Sequence, residues 1–451
     1  MNPGPRDLWF LPLGGCGEIG MNLNLFGHDG AWLMVDCGIT FERIGDADTR
    51  IQMPDPAFIS SRKDRLLGLV ATHAHEDHIG AIPHLWPQLR CPIYTTAFTA
   101  AVLRSKAISR SVETPGPIVE VSPGTQQQLG PFTLHWLPIT HSTPDTCALH
   151  ITTPAGSVLH TADWKLDAEP VVGPAFNKDL FRDAGRAGID AVICDSTNAP
   201  VAGFTPTEGE VARGLQELIC ERKGRVVVAC FASSIARMQT TARVAVESGR
   251  YLGLLGRSLH TMACCARGVG LLDETFDTIN ASDLGYLPPE EVLVLATGSQ
   301  GEPGAALHRL AADTHPSLAL ERGDTVVFSA RTIPGNEASV RKLQAAFTAR
   351  GIEVIHGDDY PGVIHASGHP CAGELAAMYR WLQAPVAVPV HGEPRHMAAN
   401  ADIARAAGVN LSLTGENGDL FYLAPEPGIR RRAAEVGRLE IGSDGSLHPA
   451  L

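Results

Sequence analysis

Four side chains able to bind a metal crowd into the stretch THAHEDH: His73, His75, Asp77 and His78. Imidazole nitrogens and carboxylate oxygens at this density suit a borderline divalent cation, zinc above all. Without a cation, such groups at the end of a buried strand would repel and desolvate one another. The spacing also divides into two sets, His73-x-His75 and Asp77-His78, one for each of two ions. A zinc finger is excluded, because no Cys pair stands nearby. Further candidates sit after apolar runs: His141 after LHWLPIT, Asp163 after SVLHTA and His391 after VAVPV. His141 would complete a set with His73 and His75, and Asp163 could bridge two metals. His391 would be the missing ligand of the second ion.

The elements that must hold these groups follow from the apolar pattern. Leu66 to Ala71 reads as a buried strand. From His78 onward, Ile79, Ile82 and Leu85 recur at helical spacing, so the cluster lies in a strand-to-helix loop whose dipole favours anions. Leu8–Gly14, residues 22–26 and residues 32–37 read as strands with glycine turns between them. LGGCGEIGMN matches neither the dinucleotide nor the P-loop spacing, so it is expected to be a glycine-rich hairpin beside the metal site. Asp36 ends a strand and is either a partner that orients a ligand histidine or a turn residue. Residues 98–108 read as a helix. Residues 118–121, 132–139, 147–153, 157–160 and 191–195 read as strands.

The character changes near Gly203. Thr205-Pro-Thr-Glu208 predicts a capping box with proline at the first helical position. Strands and helices then alternate to about Leu343, as in an α/β domain with a parallel sheet. Loops at the carboxyl ends of such strands bind ligands. Phe231-Ala-Ser-Ser-Ile, Gly256-Arg-Ser and Thr297-Gly-Ser-Gln-Gly are therefore phosphate-binding candidates, or ordinary turns. RTIPGN (residues 331–336) reads as a return linker. A second dense cluster, His365-Ala-Ser-Gly-His369, follows. From Pro425 the periodicity is lost, and Arg430, Arg431 and Arg432 read as a solvated basic run.

The chain has 451 residues, which calls for two or three domains. No apolar run reaches the roughly 18 residues of a membrane span, and the N-terminus has no signal-peptide pattern. The ten cysteines are scattered without a C-x-x-C pair, which points to a reducing, cytoplasmic setting. A net charge of −13 argues against a broadly basic nucleic-acid surface. It does not exclude a nucleic-acid enzyme, since two divalent ions would make the site itself locally positive.

THAHEDH resembles the HxHxDH signature of the metallo-β-lactamase superfamily. The resemblance narrows when THAHEDHIGAIPHL, ITHSTPD, HTADWKLD, CDSTN, FASSIARMQ, GRS, TGSQGEP, TIPGN, IHASGH and PVHGEPRH are taken in order. Over roughly residues 8–425 this series resembles the ribonuclease J family, the β-CASP branch of that superfamily. The resemblance implies an α/β fold: a metallo-β-lactamase αββα sandwich with an inserted β-CASP domain. Its expected parts are residues 1–203 and 344–425 for the lactamase domain, 204–343 for the insertion and 426–451 for a short tail.

The resemblance also implies roles. One divalent ion, Zn²⁺ or Mn²⁺, is expected on His73, His75 and His141, and another on Asp77, His78 and His391, with Asp163 bridging. His365, Ala366, Ser367, Gly368 and His369 match the substrate-phosphate and catalytic element. Ser233 and Ser234 match a 5′-phosphate pocket, and Asp195 the acidic residue of the first β-CASP motif. Asp77 would also orient the attacking water, and His369 would protonate the leaving oxygen. The expected activity is 5′-to-3′ exonuclease action on single-stranded RNA with a 5′-monophosphate, with endonuclease action beside it. Three rivals remain at this point: a hydrolase of a small ester or phosphodiester, a DNA-processing nuclease, and a non-catalytic RNA-binding partner. The family usually continues into a linker and a small C-terminal domain; a short form without it is expected here, which leaves the oligomeric state open. Ala74 and Ala81 stand where the family commonly has glycine, and Pro370 follows the SGH element.

Overall fold

The computed structural model describes residues 1–44, 48–110, 116–442 and 444–450. An eight-stranded sheet runs in the order Gly428–Arg430, Leu420–Ala424, Leu8–Gly14, Leu23–His28, Ala31–Val35, Leu66–Ala71, Ile93–Thr95, Ile118–Glu120. A seven-stranded sheet runs Leu411–Ser412, Val386–Val390, Ala191–Asp195, Gly156–His160, Cys147–Thr153, Phe132–Pro138, Gln126–Leu129. Side chains alternate across a strand, and the two sheets use that alternation to share a core. Leu8, Phe10, Phe26 and Val70 from the first pack with Trp136, Leu149, Ile193 and Val388 from the second. The outer faces are covered by helices. Leu85 and Phe98 pack with Leu25 and Met34 on one side, and Phe181 and Leu375 pack with Leu159 and Val192 on the other. This is the expected αββα sandwich.

A third sheet of five parallel strands is ordered Tyr251–Leu255, Val292–Ala296, Val226–Ala229, Thr325–Phe328, Glu353–His356. Its strands are continuous apolar runs, as expected where helices cover both faces. Leu215 and Met238 line one face, and Leu307 and Phe347 the other. Among the described residues no helix is long and apolar enough to cross a membrane.

Strand direction explains why distant ligands meet. Ala191–Asp195 is parallel to both Gly156–His160 and Val386–Val390, and Asp195 lies level with Val390. Ala31–Val35 is parallel to Leu66–Ala71. The carboxyl ends of these strands therefore fall on one edge. Asp36, His73, Asp163, Asp195 and His391 all stand at or just past them.

Three expectations need correction. The helix expected from His78 is two pieces, Glu76–Ile79 and Ile82–Leu89. The backbone between them pairs elsewhere, because Ala81 N donates to the Cys37 carbonyl at 3.0 Å. The capping box belongs to Thr207 and Glu210, with the helix running Glu208–Cys220. Thr205 instead gives its hydroxyl to Glu374 at 2.7 Å. The segment after Pro425 is not aperiodic: it contains the strands Gly428–Arg430, Arg438–Ile441 and Leu447–Pro449. The last two pair with each other, and Arg438–Ile441 pairs with Asp48–Pro54, which pairs with Thr40–Ile44 to complete a four-stranded sheet. Alternation in these strands is weak because their faces are half-exposed. Arg431 is also tied down, since its guanidinium meets Asp419 at 2.6 Å.

Candidate metal centre

The segment of residues 72–78 is sewn to residues 36–39 by backbone bonds: Cys37 N to the His78 carbonyl at 2.7 Å and Ile39 N to the Glu76 carbonyl at 3.0 Å. Gly38 makes this approach possible. A Cβ there would fall 1.7 Å from the Asp77 carbonyl oxygen. The glycine-rich hairpin does lie beside the centre, where the Gly15 carbonyl accepts the His391 N–H at 2.6 Å. His391 itself has φ 52° and Asp36 φ 64°, left-handed conformations that cost energy and gather at functional sites.

The first group is His73, His75, His141 and Asp163. His75 Nδ1 lies 3.1 Å from His73 Nε2 and 3.1 Å from His141 Nε2. Partners behind the rings fix the tautomers. His141 Nδ1 donates to the Gly368 carbonyl at 2.7 Å, and His73 Nδ1 faces the Thr72 hydroxyl at 3.0 Å. That hydroxyl donates onward to Asp36 at 3.0 Å, so it accepts from His73. Both Nε2 atoms are therefore lone pairs, and they converge with His75 Nδ1. One proton on His75 could satisfy one of these two contacts; a cation satisfies all three nitrogens. Tetrahedral zinc with Zn–N bonds of about 2.05 Å sets its nitrogens about 3.3 Å apart, close to the spacing seen. Burial, and next the neighbouring imidazoles, push His73 and His141 well below the usual histidine range. Burial brings His75 down to about 4 despite Asp77 and Asp163. All three are thus in the neutral form that ligates.

The second group is Asp77, His78, Asp163 and His391. His78 Nε2 lies 3.1 Å from Asp163 Oδ2 and 3.5 Å from Asp77 Oδ2. His391 Nε2 lies 3.6 Å from Asp77 Oδ2, buried and without a hydrogen bond. Its Nδ1 faces Asn22 Oδ1 at 3.1 Å, an acceptor that holds the proton there and leaves Nε2 bare. The residues present therefore fit two divalent ions that share Asp163; the arrangement is compatible with a dinuclear site.

Asp36 is resolved by the structure. Its carboxylate takes His78 Nδ1 at 2.7 Å and Thr72 N at 2.8 Å. It orients one ligand directly and His73 through Thr72. Asp36→Asn keeps the backbone shape, since Asn also tolerates the left-handed region. It should lower metal affinity by about 10–100-fold, the usual cost of losing such an orienting partner. Competition against a chromogenic chelator reads this out.

The remaining predicted residues fall in two places. His369 Nδ1 meets Asp195 Oδ2 at 2.8 Å and Asp163 Oδ2 at 3.8 Å. Burial acts to lower its pKa, but Asp195 and Asp163 outweigh this and raise it to about 9. A proton is therefore held at the edge of the metal groups. Gly368 leaves room for the His141 ring, which a Cβ would meet at 2.6 Å. Ala366 is buried, and Ser367 Oγ accepts from the His369 N–H at 3.2 Å. Both ring nitrogens of His365 are buried without a hydrogen bond of normal geometry. Burial, then the charges of Arg237 and Lys165, keep that ring neutral. Ser233 and Ser234 stand at the start of the helix Ile235–Ser248, where the Ser234 side chain makes no cap bond. That helix joins the 365–369 loop through Arg237, which donates to the Ser329 carbonyl at 3.0 Å, while the Ser329 hydroxyl donates to the Ile364 carbonyl at 2.5 Å.

Sequence reasoning missed Asn22, Thr72 and Asn198. Asn22 Nδ2 donates to the Asp77 carbonyl at 3.0 Å while its Oδ1 faces His391. Asn198 donates to Ser367 Oγ at 2.8 Å and to the His369 carbonyl at 3.2 Å. A neutral amide carries no compositional signal; only the strand ends beside it, as with CDSTN, could have pointed to it.

Comparison with known proteins agrees with this geometry. Residues 21–193 match the metallo-beta-lactamase superfamily. Residues 223–346 match the ribonuclease J beta-CASP domain, and residues 363–413 match the Zn-dependent metallo-hydrolase RNA specificity domain. Ribonuclease J of Sinorhizobium meliloti is 40% identical over 98% of this chain and 78% of its own length. Ribonuclease J of Mycolicibacterium smegmatis is 39% identical over 97% of this chain and 78% of its own. A crystal structure of a protein of unknown function from Enterococcus faecalis V583 shares the fold at TM-score 0.64 and 14% identity, over 92% of this chain and all of that one. With identity of this extent, and with the ligand sets of the lactamase domain assembled beside an inserted α/β domain, the chain belongs to the ribonuclease J family.

Proposed function

We propose that this chain is a metal-dependent ribonuclease that hydrolyses single-stranded RNA from the 5′ end and prefers a 5′-monophosphate. The observation that carries the reading is Asp163, whose carboxylate reaches both ligand groups and the His369–Asp195 pair. In this reading His73, His75 and His141 hold one ion and Asp77, His78 and His391 the other, with Asp163 between them. Zn²⁺ suits the histidine-rich set, and Mn²⁺ is accepted by the same donors. Bound there, the ions would polarise the scissile phosphate and lower the pKa of the attacking water.

The chain's own residues do the rest. Asp77 orients the water. His369, protonated and steadied by Asp195, delivers its proton to the leaving 3′-oxygen. The His365 ring N–H and the Ser367 hydroxyl donate to phosphate oxygens, and Ser233 and Ser234 seat the 5′-phosphate at their helix start. The inserted gripping domain begins near residue 204 and extends past the expected end at 343, because the strand Glu353–His356 pairs with Thr325–Phe328 in its sheet. Residues 1–203 and the part of 344–425 after that strand serve as the lactamase portions. All ten cysteines are free, which fits work in a reducing cytoplasm.

The test is digestion of one RNA carrying a 5′-monophosphate, triphosphate or hydroxyl, beside DNA of equal sequence, by metal-loaded protein. Mononucleotides should appear fastest from the monophosphate RNA. An absence of RNA cleavage by protein shown to hold metal would sink the reading. In the same assay His369→Ala should lower kcat by about 10²–10⁴-fold, the usual share of a general acid, with metal content unchanged. Loss of metal along with activity would make His369 a ligand instead.

A further inference from the structure

A substrate strand is a polyanion, and this chain has net charge −13. Most basic side chains around the centre are already neutralised. Lys165 meets Asp167 at 2.8 Å, and Arg237 meets Glu208 at 3.1 Å. Lys106 is paired with Glu76, Arg438 with Glu18, and Arg395 with Glu393.

Arg331 is an exception. It follows the strand Thr325–Phe328 and is exposed. Among the described residues it forms no ion pair, and its guanidinium makes a hydrogen bond to Asn198 Oδ1 at 2.6 Å. A guanidinium carries five N–H donors, so most of its fork remains free.

Its position is nonetheless set from both ends. The Arg331 carbonyl accepts Gln300 Nε2 at 2.9 Å, and the same Gln300 side chain takes the Ile333 N–H at 2.8 Å. At the other end Asn198 is 3% exposed. Its amide donates to Ser367 Oγ at 2.8 Å and to the His369 carbonyl at 3.2 Å. With its donors directed there, its oxygen faces Arg331. The side chains thus run Arg331–Asn198–Ser367, ending one residue from Gly368 and two from His369. The charge of Arg331 also acts on His365 and His396, on both sides of the centre.

An exposed cation without a carboxylate, held by a buried amide beside the catalytic loop, is arranged for an anion from outside. A planar fork matches phosphate oxygens in a way that an ammonium does not. We propose that Arg331 is a substrate-binding residue that grips a backbone phosphate of the single-stranded RNA beside the Ser367–His369 loop, with Asn198 as the residue that positions it. The inference rests on the ribonuclease reading above and names one of its phosphate contacts.

The test compares the full-length, metal-loaded wild type with R331Q and R331K on one 5′-monophosphate RNA over a series of salt concentrations. Loss of a charged hydrogen-bonding pair should raise KM by about 10–100-fold in R331Q, with kcat changed little. One phosphate contact fewer should also flatten the slope of log(kcat/KM) against log[salt] by about 0.7. R331K should keep the wild-type slope and recover only part of KM. An unchanged slope in R331Q overturns the inference even if kcat falls, because Arg331 would then act only as a prop for Asn198. Melting temperature and metal content establish that R331Q is folded. If it is not, R331K with wild-type KM overturns the inference, and R331K with raised KM and intact slope supports it. A metal-loaded wild type that leaves RNA intact overturns the ribonuclease reading and this inference together. An active wild type matched by R331Q overturns this inference alone.

Discussion

Asp163→Asn protein should fold, bind at most about one equivalent of metal, and lose RNA cleavage by about 10³-fold or more. The size follows from what a shared ligand does. One bound ion is worth several kcal/mol of transition-state stabilisation, and each 1.4 kcal/mol is about tenfold in rate. Asp163 Oδ2 stands 3.1 Å from His78 Nε2, 3.9 Å from His73 Nε2 and 4.0 Å from His141 Nε2, and Oδ1 is 3.5 Å from His391 Nδ1. Among the described residues no other side chain belongs to all three metal-capable groups. Burial would raise its pKa, but the imidazoles of His391, His78 and His369 hold it well below the usual carboxylate range. The centre thus favours its ionised form. An amide fills the same space without that charge and offers one neutral carbonyl oxygen where the carboxylate offers two anionic ones. Metal analysis and single-turnover cleavage are the measurements. The wild type should also gain melting temperature when zinc is added, since the metal binds the folded state, and the variant should gain much less. A variant that holds two equivalents of metal with wild-type cleavage would remove Asp163 from the centre.

Much of the site is legible in the amino-acid sequence, and the reason is physical. Ligands at the ends of buried parallel strands leave two marks together, an apolar run and then a His or Asp. Leu66–Ala71, Ala191–Asp195 and Val386–Val390 all show both, and their strand bounds are legible to the residue. What orients the ligands leaves no such mark. Asp36 cannot be told from a turn residue by sequence, because its function lies in the 2.7 Å contact with His78 across 42 positions of chain. Gly38 matters only because Asp77 passes above it. Arg331 reads as part of a linker, since its partner Asn198 is 133 positions away. The misplaced capping box has a similar cause. Two threonines lie two apart in Thr205-Pro206-Thr207, each followed three positions later by Glu208 or Glu210. Local pattern alone cannot choose between them. Tertiary demand does: Glu208 is drawn inward by two cations, and Glu210 is left to close the box.

That inward pull makes Glu208→Ala the largest stability change expected in this chain. Glu208 is 2% exposed, and its carboxylate takes Arg237 Nε at 3.3 Å and Nη2 at 3.1 Å. Lys165, fully buried, lies 3.5 Å from its other oxygen and 2.8 Å from Asp167. Asp167 in turn accepts the Glu208 N–H at 3.0 Å. The network ties the HTADWKLD segment, which bears Asp163, to the first two helices after residue 204. Arg237 then carries it to Ser329 and on to Ile364. Removing one member of a buried ion pair leaves a bare charge and costs about 3–5 kcal/mol. Here Lys165 is left with Asp167 and Arg237 loses its carboxylate partner, so the upper part of that range is expected. Denaturant unfolding should show it as an earlier transition. Because Arg237 also positions Ile364, beside His365, the folded fraction should cleave RNA more slowly while its metal content stays at the wild-type level. The pH dependence has a definite sign. Burial raises the Glu208 pKa, but Arg237 and Lys165 together bring it below the usual glutamate value. A depressed carboxylate contributes stability that is complete above its unfolded pKa of about 4.3 and drains away as pH falls through the folded value. The gap between wild type and Glu208→Ala should therefore be constant from neutral pH down to about pH 5 and narrow below it. Equal unfolding midpoints for the two proteins at neutral pH would mean that the network contributes nothing to holding the inserted helices against the metal-bearing strand ends.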